Sequence, residues 1–250
     1  MRAAIGAVIA VLSMGAASNV AAQERWAALS LLGDRISVVY PRTETGTRLN
    51  PNLIEAVKME DDVLDRLALR AVMQAQVPGV AEIVPLALRD PRFYEAQQRL
   101  LTGDAQTKPL LESLLKAVAP AKVTHLLLVA KLRDEASFRV RDGHIGIGRV
   151  EGLGFYVDRV TRMQRTDTAE SDTGFLAPFA YYHLLLFDIG SRRVVAEERV
   201  TASTMYLVAG SREGDPWQLV SADRKVEDLE RLLNQHMRTA LPRLQAVRRG

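Results

Sequence analysis

Cysteine is absent from all 250 residues. That excludes a disulfide framework, a thiolate nucleophile, a cysteine metal site and a lipid attached to a cysteine behind a leader. Charge of one sign is lacking too. The 33 basic residues stand against 30 acidic ones and are interspersed with them, so the net charge of +3 implies no nucleic-acid partner. Beyond the N-terminal stretch no window of 18 apolar residues occurs, so no later segment is expected to cross a membrane as a helix. No repeat of fixed period is visible. What remains is 48% hydrophobic and 25% charged, the make-up of a globular chain able to bury a core.

The signatures of common chemistry are missing as well. There is no G-x-S-x-G elbow, no S-x-x-K with its partner motifs, and no H-x-H or H-E-x-x-H spacing. Gly146 to Gly154 spells G-x-G-x-x-x-G-x-G, but Glu151 stands where a dinucleotide fingerprint needs its third glycine, and a strand follows instead of a helix. A turn or bulge is the expectation there, and no cofactor is expected. The carboxylate pairs Asp61-Asp62 and Glu197-Glu198 sit at a helix start and on an exposed strand, where capping and solvation account for them.

The chain opens with Met1-Arg2, an apolar run from Ala3 to about Ala17, and Val20-Ala21-Ala22, with small residues at both positions a signal peptidase reads. This predicts a signal peptide over residues 1–22, cleavage before Gln23 and a periplasmic protein. The run is shorter than the roughly 20 residues a spanning helix needs.

In the mature part, Gly33-Asp34 between apolar runs predicts a hairpin or a bulged strand. Pro51 is poised at a helix start, and Asp61 to Gln76 carries Leu64, Leu67, Ala68, Ala71, Val72 and Ala75 on one helical face. A short strand with Pro85 at an edge, a helix opened by Asp90-Pro91, and a helix through Leu110, Leu111, Leu114, Leu115 and Val118 follow. Val123 to Leu132 reads as a nearly buried strand. Gly146, Gly148, Gly152 and Gly154 predict that the next strand is weakly paired or bulged. Arg159 to Gly174, polar and poor in large apolar residues, predicts a mobile loop. Phe179 to Met205 reads as the centre of the sheet: a strand apolar on both faces, a turn at Asp188 to Arg192, and a half-exposed return strand, hence an antiparallel hairpin. A last helix carries Leu229, Leu233, Met237, Leu241 and Leu244 on one stripe, interrupted or kinked at Pro242. The expected architecture is one α/β domain from about Gln23 to Gly250, with a mixed, mainly antiparallel sheet of five to seven strands and helices packed on it.

Two candidate sites emerge. His125 and His183 each open a buried strand with the run His-Leu-Leu-Leu, so the imidazoles would meet if those strands were neighbours in register, with Asp158 or Asp142 completing a metal site. That is the basis of an alternative reading as an envelope hydrolase or metal-dependent enzyme. Strand-end histidines without a ligand are the simpler expectation, and His236 reads as a core residue. The second site is a contact surface for an envelope protein: Arg159, Arg162 and Arg165 in the polar segment, with Phe175 and Phe179 just beyond it; the simpler expectation is that the two phenylalanines fill the sheet edge and the loop is idle.

The order of elements, a helix "LLESLLKAVAPAK" leading into the strand Thr124 to Leu132, and the hairpin "LLLFDIGSRRVVAEERV" with its turn Asp188-Ile189-Gly190-Ser191 resemble the periplasmic domains of the curli-secretion, penicillin-binding-protein-activator and flagellar-assembly lipoprotein group. The chain differs from that group in lacking the lipid-anchoring cysteine. The resemblance implies a non-catalytic envelope accessory protein that acts through protein contacts.

Overall fold

A computed structural model of the chain describes residues 24–249 except 43–51, 61, 89, 103, 142, 165–170 and 208–214. The expected signal peptide lies outside the described residues. The chain begins with strands β1 (Glu24–Ser30), β2 (Arg35–Tyr40) and β3 (Leu53–Lys58), followed by helix α1 (Val63–Gln74) and β4 (Val80–Leu86). Helices α2 (Pro91–Leu101) and α3 (Lys108–Val118) lead to β5 (His125–Lys131) and three short strands, β6 (Arg133–Glu135), β7 (Phe138–Val140) and β8 (Gly143–Ile145). The long strands β9 (Arg149–Gln164) and β10 (Ser171–Asp188), then β11 (Arg193–Ser203), β12 (Tyr206–Leu207) and helix α4 (Ala222–Arg249), complete it. Ten strands join in one mixed, mainly antiparallel sheet, ordered β3-β2-β9-β10-β5-β1-β4 with β11, β12 and β6 attached to it, and β7 and β8 pair apart. The architecture is a single α/β domain, with a sheet larger than the five to seven strands expected. Much of the excess comes from short pieces that carry no apolar alternation of their own.

Strand β10 is the centre. Its side chains are buried from Gly174 to Phe187, as its apolar residues on both faces require. The sheet is covered on both sides. On one face α1 and α4 pack over Trp26, Ala28, Val38, Leu127, Leu153, Phe155, Leu184 and Leu186. Against the other lie α2 and α3, over Ala27, Leu29, Leu126, Leu128, Leu185 and Phe187. Helix α4 buries Leu229, Leu232, Leu233, Met237, Ala240, Leu241 and Leu244 and runs unbroken through Pro242. Each large aliphatic side chain in that stripe is worth about 1.5–3 kcal/mol of transfer free energy.

Four expectations need correction. First, Gly33 does adopt a left-handed φ of 76°, but no hairpin forms there. Strands β1 and β5 are parallel, β5 and β9 are both antiparallel to β10, and β2 is parallel to β9, so β1 and β2 run in the same sense. The turn passes the chain from one part of the sheet to the next. Second, β3 intervenes between Pro51 and the first helix. Third, the glycine-rich strand is bulged, as one of the two expected alternatives had it, between Asp158 and Arg162, but it is not weakly paired: β9 bonds to β10 along one side and to β2 along the other. Gly154 is what permits this, since a Cβ there would run into the Ser37 carbonyl and the Phe179 ring. Fourth, the segment expected as a loop is largely strand, with Asp172 opposite Met163 and Thr173 opposite Arg162; residues 165–170 lie outside the described residues. Polarity misled there because cross-strand pairing, not burial, orders an exposed ribbon.

Candidate protein-contact edge

Among the described residues the sheet ends in three long edges, and two are blunted. Pro85 in β4 has no N–H to offer and Arg25 pairs with Glu82 beside it at 2.8 Å. Strand β11 has a bulge opposite Leu186/Phe187 and carries Glu197, Glu198 and Arg199. The bulge also explains why Val194 is exposed, since one extra residue reverses the alternation.

Strand β3 is the open edge. Among the described residues it pairs only with β2, Arg35 opposite Lys58 and Tyr40 opposite Leu53. The Met59 N–H donates to the Asp34 carbonyl at 2.7 Å, which marks that pair as hydrogen-bonded. Because bonded and unbonded pairs alternate in an antiparallel ladder, Leu53, Glu55 and Val57 spend their backbone groups on β2, while those of Ile54, Ala56 and Lys58 point away from the sheet. All six side chains are exposed, including Leu53, Ile54 and Val57 at 40%, 44% and 40%. An outward row of N–H and C=O groups flanked by apolar side chains on both faces is a template for a further strand. Sequence reasoning missed it because a strand exposed on both faces shows no apolar alternation; Asn52 followed by Leu53, Ile54 and Val57 was the available signal.

The residues expected to make contacts fall into different places. Arg159 is exposed; its guanidinium pairs with both oxygens of Asp215 at 3.1 and 3.2 Å and lies 5.0 Å over the Tyr40 ring. Tyr40 is opposite Leu53, so Arg159 adjoins one end of the open edge. Arg162 is exposed on β9, and Arg165 lies outside the described residues. Phe175 and Phe179 are fully buried and cannot meet a partner. Phe175 stacks on Tyr156 at 5.8 Å, and Phe179 meets Tyr181 edge-on at 5.7 Å over the space left by Gly154. Both belong to a buried cluster with Val39, Leu132, Phe138 and Tyr156.

The two histidines do not meet. Their strands are neighbours, but antiparallel: His125 is opposite Asp188 and His183 opposite Ala130. Identical His-Leu-Leu-Leu runs on antiparallel neighbours place the rings at opposite ends of the shared ladder, about 17 Å apart at roughly 3.4 Å per residue. Among the described residues no group of three histidines and carboxylates could hold a metal. Asp158 serves its own strand, accepting from the Val160 and Thr161 N–H groups at 2.8 and 2.7 Å; Asp142 lies outside the described residues. His125 is held between Glu24 at 3.8 Å and Asp188 at 3.6 Å. Glu24 in turn accepts from the Trp26 indole at 3.1 Å and from both terminal nitrogens of Arg248, one at 2.8 Å. The Arg248 bonds hold the Glu24 carboxyl down at about 2. Burial depresses the pKa of His125 despite the flanking carboxylates. This cluster fastens the end of α4 to the start of β1, a structural task. His183 faces Glu197 at 3.5 Å, with Nε2 buried and otherwise unpaired. His236 is half-buried on α4 and His144 exposed on β8.

No family model matches the chain, and no curated protein matches it. Solved structures do. One is protein XCC0632 from Xanthomonas campestris, described with the family model DUF330, at 11% identity and a TM-score of 0.38 over 90% of this chain and 84% of that one. Another is the hypothetical protein CT253 from Chlamydia trachomatis, at 10% identity and a TM-score of 0.34 over 91% of this chain and 98% of that one. At these scores the similarity assigns neither a family nor an activity. Among the described residues no helix is long and apolar enough to cross a membrane.

Proposed function

We propose that the chain is an exported, non-catalytic binding or assembly module of the bacterial periplasm, and that it takes an extended segment of another envelope protein as an added strand along β3. The observation that carries this reading is the open edge: outward backbone groups of Ile54, Ala56 and Lys58 beside exposed Leu53, Ile54 and Val57. A partner segment of alternating apolar residues fits it, since main-chain bonds supply affinity and the apolar side chains on either face supply register. The leader-like N-terminus and the resemblance to the curli-secretion and penicillin-binding-protein-activator group support the compartment and the class of role.

A photo-reactive residue at Ile54, set against one at Arg99 on the far side of the molecule, tests this in the intact envelope. A heterologous adduct is expected from position 54 alone. Equal yield from both positions, or adducts of the chain with itself only, would overturn the reading.

A further inference from the structure

The carboxyl ends of β1 and β4 are far from the β3 edge in purpose and chemistry. These strands are parallel neighbours in the sheet. The chain leaves β1 through the Gly33 turn for β2, farther along the same sheet, while the chain beyond β4 enters α2 on one face; α1 lies on the other face. The two exits diverge beyond the strand ends, and a crevice outside the carboxyl ends of parallel strands is a common place for α/β folds to hold ligands. Here it is a cavity of about 850 Å³.

The cavity is built, not incidental. Asp65, buried in the first turn of α1, accepts from the Leu32 and Gly33 N–H groups at 2.8 and 3.1 Å and from the Tyr94 hydroxyl at 2.8 Å. The same hydroxyl lies 3.2 Å from the Leu88 carbonyl. One carboxylate and one phenol thereby fix the loops after β1 and β4 and the starts of both helices relative to one another. Gly33 passes beneath the Tyr94 ring, and a side chain there would stand 3.6 Å from it.

Of the charges in the lining, Arg35 and Asp34 pair with each other at 3.9 Å, and the remaining three are not matched among themselves. Lys131, at the end of β5, forms no ion pair among the described residues, and neither do Asp62 at the head of α1 or Glu95 on α2. Leu88, Pro91 and the Tyr94 ring add an apolar wall. We propose that this crevice binds a small zwitterion, a free amino acid or short peptide with both ends charged, its carboxylate at Lys131, its ammonium at Asp62 and Glu95, and a small side chain against the apolar wall. An anion alone would leave both carboxylates facing it unmatched, and a cation alone would do the same to Lys131; discrimination arises from that mismatch as much as from the contacts made.

The test uses three probes of nearly equal size on the isotope-labelled mature chain: dialanine, N-acetyl-dialanine, which lacks the ammonium, and dialanine amide, which lacks the carboxylate. Amide signals of Gly33, Glu95 and Lys131 should shift and saturate with dialanine in the millimolar range expected of so small a ligand, and should respond at least about threefold more weakly to either blocked probe. Lys131→Met keeps the aliphatic stem and should erase the preference for dialanine over its amide; Glu95→Gln should shrink the preference over the N-acetyl form. The proposal fails if all three probes shift the same signals equally, if Lys131→Met leaves the preference intact, or if dialanine at about 20 mM, well above the expected range, moves no crevice signal. None of these outcomes bears on the β3 edge.

Discussion

Proline substitution along β3 separates the two sides of one strand. At Ala56 the N–H points outward, so proline removes a donor that serves no bond within the fold. Its fixed φ costs some strain against extended backbone, offset by the reduced freedom of the unfolded chain, for a net change within about 1 kcal/mol. At Val57 the N–H serves Ile36 across the ladder, and Ile36 is only 6% exposed. Proline there strands a buried carbonyl at a cost of about 1–3 kcal/mol, before any displacement of β2. For a chain of this size that is a fall of roughly 2–10 °C in melting temperature, which circular dichroism resolves. Adduct formation from a probe in β3 should be abolished by Ala56→Pro, because the missing donor belongs to the partner's ladder. Equal destabilisation by the two prolines would refute the alternation deduced from the Met59–Asp34 bond. An unchanged adduct yield with Ala56→Pro would refute strand addition while leaving the fold untouched.

Leu233→Ala, beneath α4 at 0% exposure, should cost about 2–5 kcal/mol in urea unfolding, the range for a truncated core leucine. Gly154→Ala should destabilise by about 1–3 kcal/mol, because the added methyl meets the Ser37 backbone carbonyl, which cannot swing aside as a side chain would. On the acid side, Glu24 titrates at about 2 in the fold against an ordinary 4.5, so its contribution is complete above 4.5 and is lost as pH falls towards 2; Glu24→Gln should flatten the stability curve in that window. His125 and His183 are both depressed from 6.5 by burial, so the folded chain holds fewer protons than the unfolded one and stability falls as pH drops below 6.5; replacing both with glutamine should reduce that slope.

The elements that were legible in the sequence are those whose burial is one-sided or complete. The stripe of α4 and the apolar run of β10 admit one reading each, and the turn Asp188 to Arg192 fixes the hairpin between β10 and β11. Helix α2 was equally plain, because the Asp90 side chain accepts from the Arg92 N–H just where Pro91 begins the helix. The errors share a cause: pairing is a relation between distant segments. Nothing within His-Leu-Leu-Leu states whether a neighbouring copy runs parallel or antiparallel, and that choice decides whether the rings meet. Phe175 and Phe179 read as beside a partner because a polar segment precedes them, yet both lie in the stretch of β10 that is buried from Gly174 onward. Asp65 and Tyr94 went unnoticed because each looks like an ordinary helical residue, and only the fold brings them within 2.8 Å.

Strand β10 is bonded along one side to β9 and then to β5, and along the other to β12 and then to β11. One uninterrupted backbone therefore serves as the spine of what would otherwise be two small sheets. No hinge can sit between them, since bending there would shear the ladders on both sides of the spine at once. The β3 edge reaches this spine through β2, which pairs with β9 over Ser37, Val38 and Val39. A strand added at β3, as proposed, would therefore extend one continuous sheet and not a separately hinged lobe.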